Sequence, residues 1–232
     1  MVMTSFAKVP RLAALTLTAM LAVGACGGSD AADSAESADT AATESGEAQD
    51  GASGDTEAAS SAVLQVSPSL EIVGDPLVPL EDPANDPAVG EIAPVITGNS
   101  FDGSDITIGG ETDGPTMLVF LAHWCPHCND EIPEILKLRD AGSLPDNLNI
   151  IGISTAVAED RDNYPPSDWI VEKDWTWPVL ADTIDAEAFQ AYGGTGFPYS
   201  VMLQSDGGVN ARTSGSSSAE QILAWIEASL LV

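Results

Sequence analysis

Apolar residues are distributed unevenly, and their pattern divides the chain into three parts. Leu12 to Val23 is one apolar stretch near the start. Gly27 to Ala62 then holds no apolar side chain larger than alanine. From about Gly90 the spacing becomes globular. Ile92 to Ile108 carries two short β-type runs around Asp102-Gly103, which predicts a hairpin. Met117 to Ala122 is an unbroken apolar run of strand length, the pattern of a strand covered on both faces. A helix is predicted over Pro126 to Arg139, with Ile132, Ile135, Leu136 and Leu138 on its apolar positions and Pro133 kinking it. Leu148 to Ser154 reads as a second buried strand, a short helix starts near Ser167, and Trp177 to Leu180 reads as a third strand. Asp185 to Tyr192 is a helix stopped by Gly193-Gly194. Tyr199–Leu203 and Gly208–Arg212 pair across Ser205-Asp206-Gly207, and Ser217-x-x-Glu220 caps a last helix whose stripe is Ile222, Leu223, Ile226 and Leu230. Strands and helices alternate, then close with a hairpin and a helix. The fold class expected is α/β, a three-layer sandwich around a mixed β-sheet.

Composition changes the reading of the first 89 residues. Lys8 and Arg11 precede the apolar stretch, which is shorter than the ~20 residues a membrane span needs, so residues 1–25 read as an export signal. Val23-Gly24-Ala25-Cys26 resembles the bacterial lipobox, which makes Cys26 the expected lipid anchor; cleavage after Ala25 without lipidation is the alternative, giving a secreted protein. Both place the protein outside the cytoplasmic membrane, where disulfides persist. Residues 27–62 contain nine acids and no base, and have too little apolar surface to offset the entropy of folding. With Pro68, Pro76, Pro79, Pro83 and Pro87 behind it, the whole of 26–89 is expected to be an acidic, then proline-stiffened, disordered tether. The globular domain is expected at 90–232. The chain has 36 acidic against 7 basic residues and a formal charge of −29, which excludes a nucleic-acid partner and a polybasic lipid grip.

Reactive side chains are few and clustered. Two of three cysteines and both histidines lie in His123-Trp124-Cys125-Pro126-His127-Cys128, where a buried strand passes into a helix. The free N–H groups and dipole of a helix start favour negative charge on the first sulfur. Cys125 is therefore the expected exposed nucleophile, and Cys128, one turn deeper, its disulfide partner. His123 is placed at the site rim or the surface. Trp169, Trp175 and Trp177 read as core or groove wall.

Cys-x-x-Cys-x-x-Glu-x-Pro, present as Cys125, Cys128, Glu131 and Pro133, resembles the thioredoxin superfamily. With Trp124 and Pro126, Trp177 to Asp182, and Ala191 to Pro198, the wider context is similar to its TlpA, ResA and DsbE-like extracytoplasmic branch, over about 91–232. The resemblance implies a thioredoxin-like fold and a thiol-disulfide oxidoreductase with no cofactor beyond the Cys125–Cys128 pair. It implies that Pro198 is the cis-proline, that Phe197 before it shapes substrate fit, and that Glu131 tunes cysteine protonation. An ordinary surface acid is the alternative for Glu131. His127 is also found between the cysteines of oxidising relatives, where it stabilises the thiolate, and hence the dithiol, making the disulfide a stronger oxidant. Val119 and Phe120 stand where many thioredoxins carry a buried acid. Expected partners are cysteines of exported proteins, a membrane redox partner and the membrane itself through Cys26. Net oxidation is favoured over reduction of apocytochrome cysteines. Asn129 after Cys128 excludes the haem-attachment motif. The other readings are a copper- or zinc-binding lipoprotein using His123, Cys125, His127 and Cys128, and a peroxidase of peroxiredoxin type.

Overall fold

The computed structural model describes residues 63–231; the signal-like stretch, Cys26 and the acidic segment to Ala62 lie outside the described residues. Among the described residues, eight strands form one mixed sheet: β1 (Glu71–Val73), β2 (Val95–Asn99), β3 (Asp105–Ile108), β4 (Thr116–Leu121), β5 (Asn149–Ser154), β6 (Val179–Ala181), β7 (Tyr199–Leu203) and β8 (Val209–Ser214). Four helices accompany them: α1 (Pro126–Asp140), α2 (Pro166–Glu172), α3 (Glu187–Ala191) and α4 (Ala219–Ser229). The strand order is β1-β2-β6-β5-β4-β7-β8, with β3 on the other edge of β2. β4, β5 and β6 are parallel, β7 runs antiparallel to β4, and β8 runs antiparallel to β7.

β4 lies at the centre because every one of its residues is buried. Leu118 and Phe120 join the apolar cluster on one face, and Met117, Val119 and Leu121 the cluster on the other. The second face is covered by α1, α2 and α4 through Ile132, Ile135, Trp169, Ile222 and Ile226. Trp175 is core as well, and Trp177 packs against the same cluster half-buried. α1 runs through Pro133 without ending.

The first face corrects the domain boundary. Residues 63–89, expected as tether, are folded onto the domain. β1 pairs with β2, Leu77, Leu80 and Ala88 are buried in the core, and Leu77 N–H and Leu80 N–H bond to Ala191 and Gly193 carbonyls. Asp86 forms a fully buried ion pair with Arg212 on β8. The prolines act as corners that let a short segment turn repeatedly over the sheet, so this segment supplies much of the layer that α3, five residues long, is too small to complete. Gly193 (φ 71) is required where it passes, because a Cβ there would collide with the Val78 carbonyl. The last helix is capped one residue later than expected, by Ser218 with Gln221 in a reciprocal box, and Ser217 instead lines a cavity beside α4.

Candidate active site

Cys125 is the N-cap of α1, with extended backbone (φ −79°, ψ 119°), and Pro126 follows at the first helical position, where its missing N–H is not needed. The sequence thereby places a sulfur at a helix start whose leading N–H groups have no partner within the helix. Cys128 lies in the first turn and is completely buried. Both are free thiols. Cys125 is 6% exposed, so the expectation of an openly exposed nucleophile is corrected to a recessed one. Its Sγ–H points at the Phe197 carbonyl, 3.8 Å away.

That carbonyl belongs to the peptide bond Phe197-Pro198, which is cis. β7 begins immediately after it and pairs with β4, which leads into Cys125, so two neighbouring strands deliver the two halves of the site to one sheet end. Phe197 packs on Phe189 of α3 (4.5 Å between ring centres) and edge-on against Trp124 at 6.0 Å. α3 itself is held by Asp182, whose buried carboxylate accepts from Ala188 and Phe189 N–H and from the Thr155 hydroxyl. Burial raises the Asp182 pKa above its ordinary value even against these donors. The resemblance had marked Asp182 only as the end of a matching segment; its place before a helix of weak intrinsic capping, started by Ala186 at φ 57°, is the signal for its role.

Glu131 is 4% exposed, which overturns the surface-acid alternative. It lies three residues after Cys128 on α1 and lines a cavity of about 210 Å³ with Ser200, Thr213 and Ser217. Its Oε2 has no hydrogen-bond partner. Burial pushes its pKa up to about 8. The Cys128 thiol is pushed far up by burial first, and then by the nearby Cys125 and Glu131.

The two histidines part company. His127 is exposed, and the contact its ring makes is with the Ser216 hydroxyl, 3.5 Å from Nδ1. His123 is wholly buried, neither rim nor surface. Its Nδ1 meets the Asp162 carbonyl and its Nε2 the Ala158 N–H, so both nitrogens are committed away from the cysteines. The four-residue copper or zinc set is therefore not assembled, and among the described residues no group of three His, Cys, Asp or Glu is placed to hold a metal. Asn129 escaped the sequence reading as a site residue. Its amide donates to the His123 and Cys125 carbonyls, and its oxygen accepts from Trp169 Nε1, tying the cysteine turn to α2. Its only sequence signal is its position directly after Cys128.

Comparison with known proteins agrees with this arrangement. The chain is 27% identical over 128 residues to sporulation thiol-disulfide oxidoreductase A of Bacillus subtilis (strain 168), covering 55% of this chain and 75% of that protein. It is 25% identical over 126 residues to the methylamine utilization protein MauD of Paracoccus versutus, of which it spans 58%, with 54% of its own length. A solved DsbF homologue from Corynebacterium diphtheriae superposes with a TM-score of 0.50 at 18% identity, over 65% of this chain and 98% of that one, which shows the shared fold. Residues 89–212, more than half of the chain, match the AhpC/TSA family. The chain therefore belongs to the AhpC/TSA family, as a thiol-disulfide oxidoreductase of thioredoxin-like fold.

Proposed function

We propose that this protein exchanges disulfides with cysteines of exported polypeptides on the outer face of the cell membrane, anchored there by lipid on Cys26, or secreted if that cysteine is not modified. The observation that carries the chemistry is the placement of Cys125 Sγ at the start of α1, opposite the Phe197 carbonyl of the cis-Pro198 loop, with Cys128 buried behind it. A client thiolate attacks Cys125 in the Cys125–Cys128 disulfide, a client–Cys125 bond forms, and Cys128 leaves and takes up a proton. The client's second thiolate then attacks the mixed disulfide and displaces Cys125. The client loses two electrons and the protein gains them; the reverse sequence reduces a client disulfide. Sulfur carries the electron pair throughout, so no bound cofactor is required. Strand-like docking of the client backbone beside the cis-proline loop is what the thioredoxin resemblance implies for this site. Surface anchoring rests on the signal-like start and the Cys26 motif, and among the described residues no helix is long and apolar enough to cross a membrane.

Trapping distinguishes the roles of the two sulfurs. With Cys128→Ser, the remaining Cys125 should attack a peptide disulfide and stall as a stable mixed disulfide visible by mass. With Cys125→Ser, the fully buried Cys128 should trap none. Equal trapping by both variants, or by neither, would remove the assignment.

Net oxidation is the favoured direction, with a reduction potential near ~−120 mV; a value near ~−270 mV would make the protein a reductant, as the apocytochrome reading requires. The exposed His127 bears on this through charge near Cys125 rather than through a direct bond. His127→Ala should move the potential toward more reducing values, by about 30 mV for each tenfold change in the exchange constant with glutathione. An unmoved potential would make His127 a bystander.

A further inference from the structure

His123 is completely buried immediately before Trp124-Cys125. Its Nδ1 lies 2.7 Å from the Asp162 carbonyl oxygen, which can only accept, so Nδ1 carries the hydrogen. Nε2 is then bare and accepts the Ala158 N–H at 3.2 Å. One ring thus bridges two points four residues apart on the loop between β5 and α2. The same loop returns to His123 through Asn163, whose amide donates to the His123 carbonyl at 2.8 Å. Ala156 (φ 50°) and Asn163 (φ 62°) are both left-handed there. Such conformations are strained for a residue like alanine and persist where contacts over-determine them.

This loop grips Trp124 in two ways. The Ala156 carbonyl accepts from the indole N–H at 2.8 Å, and the Arg161 guanidinium lies over the indole ring, 4.7 Å from its centre. Trp124 in turn meets Phe197, whose carbonyl faces Cys125 Sγ. We propose that His123, as the neutral Nδ1–H tautomer, is the positioning residue that clamps the 156–163 loop onto Trp124 and so fixes the wall of the groove where Cys125 receives a polypeptide substrate. The substrate part of this rests on the disulfide-exchange reading above.

A second proton on the ring would set an Nε2–H against the Ala158 N–H, two donors with no acceptor between them. The charged and titratable groups facing the ring from the loop are Arg161, whose charge also opposes a second proton, Asp162, which presents its carbonyl, and Tyr164, whose ring stands edge-on at 6.0 Å. From α1 comes the uncharged Asn129, on the His123 carbonyl. Burial holds the imidazole below its ordinary range, with Arg161 acting in the same sense. The clamp is closed at neutral pH and opens in acid.

The test compares His123→Phe, which keeps ring bulk and removes both bonds, with His123→Gln, which keeps an acceptor at the Nε2 end of the side chain. For exchange with a disulfide-bonded peptide, His123→Phe should raise KM about tenfold with kcat within about twofold, and His123→Gln should recover part of the loss. Alkylation of reduced Cys125 by iodoacetamide, too small to feel the groove wall, should stay within about twofold. An unchanged KM in folded His123→Phe, or an equal fall in alkylation, would overturn the proposal. Independently of any exchange activity, the wild-type protein should show an acid transition in tryptophan emission that is lost in Trp124→Phe and in His123→Gln. Persistence of that transition in either variant would sink the clamp, and a wild-type protein that shows the transition but exchanges no disulfides would sink the exchange reading alone.

Discussion

Replacing Asp86 with asparagine should destabilise the protein by about 3–5 kcal/mol, the usual result of removing one partner from a buried ion pair. Arg212 has no exposed side-chain surface, and its Nε and one terminal nitrogen both bond the Asp86 carboxylate, Nε at 2.7 Å. Its other nitrogen donates to the Val78 and Tyr192 carbonyls. Without Asp86 the guanidinium keeps these carbonyls but loses its counter-charge where water cannot replace it. At ~2–4 °C per kcal/mol for a domain of this size, the melting temperature should fall by about 10 °C. The double variant Asp86→Leu with Arg212→Met should lose less than the two single changes added together, since no orphan charge is left behind. A melting temperature unchanged in Asp86→Asn, or a strictly additive double variant, would show that the pair does not fasten the 63–94 segment. A chain cut before Gly90, the boundary suggested by composition, should not fold at all, because it discards Leu77, Leu80 and Ala88 from the core along with Asp86.

Acid should release the same clamp. Burial disfavours the Asp86 carboxylate, but the bonds from Arg212 and from the Ala88 N–H outweigh it, so its pKa lies below the ordinary value. A depressed folded-state pKa gives stability that is present above the unfolded-state value and is lost as pH falls through the folded one. The loss is therefore expected in strong acid, with the urea midpoint of Asp86→Asn less sensitive to pH there than that of the wild type.

The pattern of apolar residues revealed the strands and helices well where each element is long or wholly buried. Met117 to Ala122 is a run with no polar interruption, and the chain does place it at the sheet centre. Ser200 and Thr213, by contrast, give no cue that the hairpin carrying them also closes a cavity over Glu131. The 63–89 segment resembles a linker in sequence for a physical reason. Five prolines and several acids look like a linker, and what makes it structure is a partner, Arg212, about 126 residues away in sequence. Long-range pairing of this kind leaves no local periodicity. The site divides in the same way. Cys125 and Cys128 announce themselves by spacing and Pro198 through the family resemblance, whereas Asn129, Asp182 and the His123 clamp depend on loops that meet only in three dimensions. His123 was the hardest to place, because a histidine beside two cysteines invites a ligand reading and its ring in fact faces the other way.

Glu131→Gln should slow the exchange step that passes through Cys128 by about 10²–10³-fold while making the folded protein more stable at alkaline pH, and the opposed signs are the diagnostic. Cys128 is buried and its thiol holds its proton tightly, so reforming the Cys125–Cys128 disulfide needs a nearby proton acceptor. Glu131 is one helical turn away, faces a cavity lined by hydroxyls, and titrates at about 8, close to the pH at which it must work. Groups so matched contribute ~10²–10⁴-fold in proton transfer. The wild-type rate of disulfide formation should rise through a pH near 8, and this inflection should vanish in Glu131→Gln, while iodoacetamide still modifies Cys125 at its normal rate. For stability the sign is reversed. A carboxyl whose folded pKa is raised contributes stability that is complete below its unfolded value, ~4.3, and is lost as pH rises through the folded one. The wild type should therefore weaken from about pH 5 to pH 8, by up to a few kcal/mol, as the buried carboxyl is forced to ionise. Glutamine cannot ionise, so the variant's urea midpoint should lack this decline. Midpoints that fall in parallel between pH 5 and 9, or an exchange rate within threefold of wild type, would show that the buried acid neither destabilises the fold nor carries the proton.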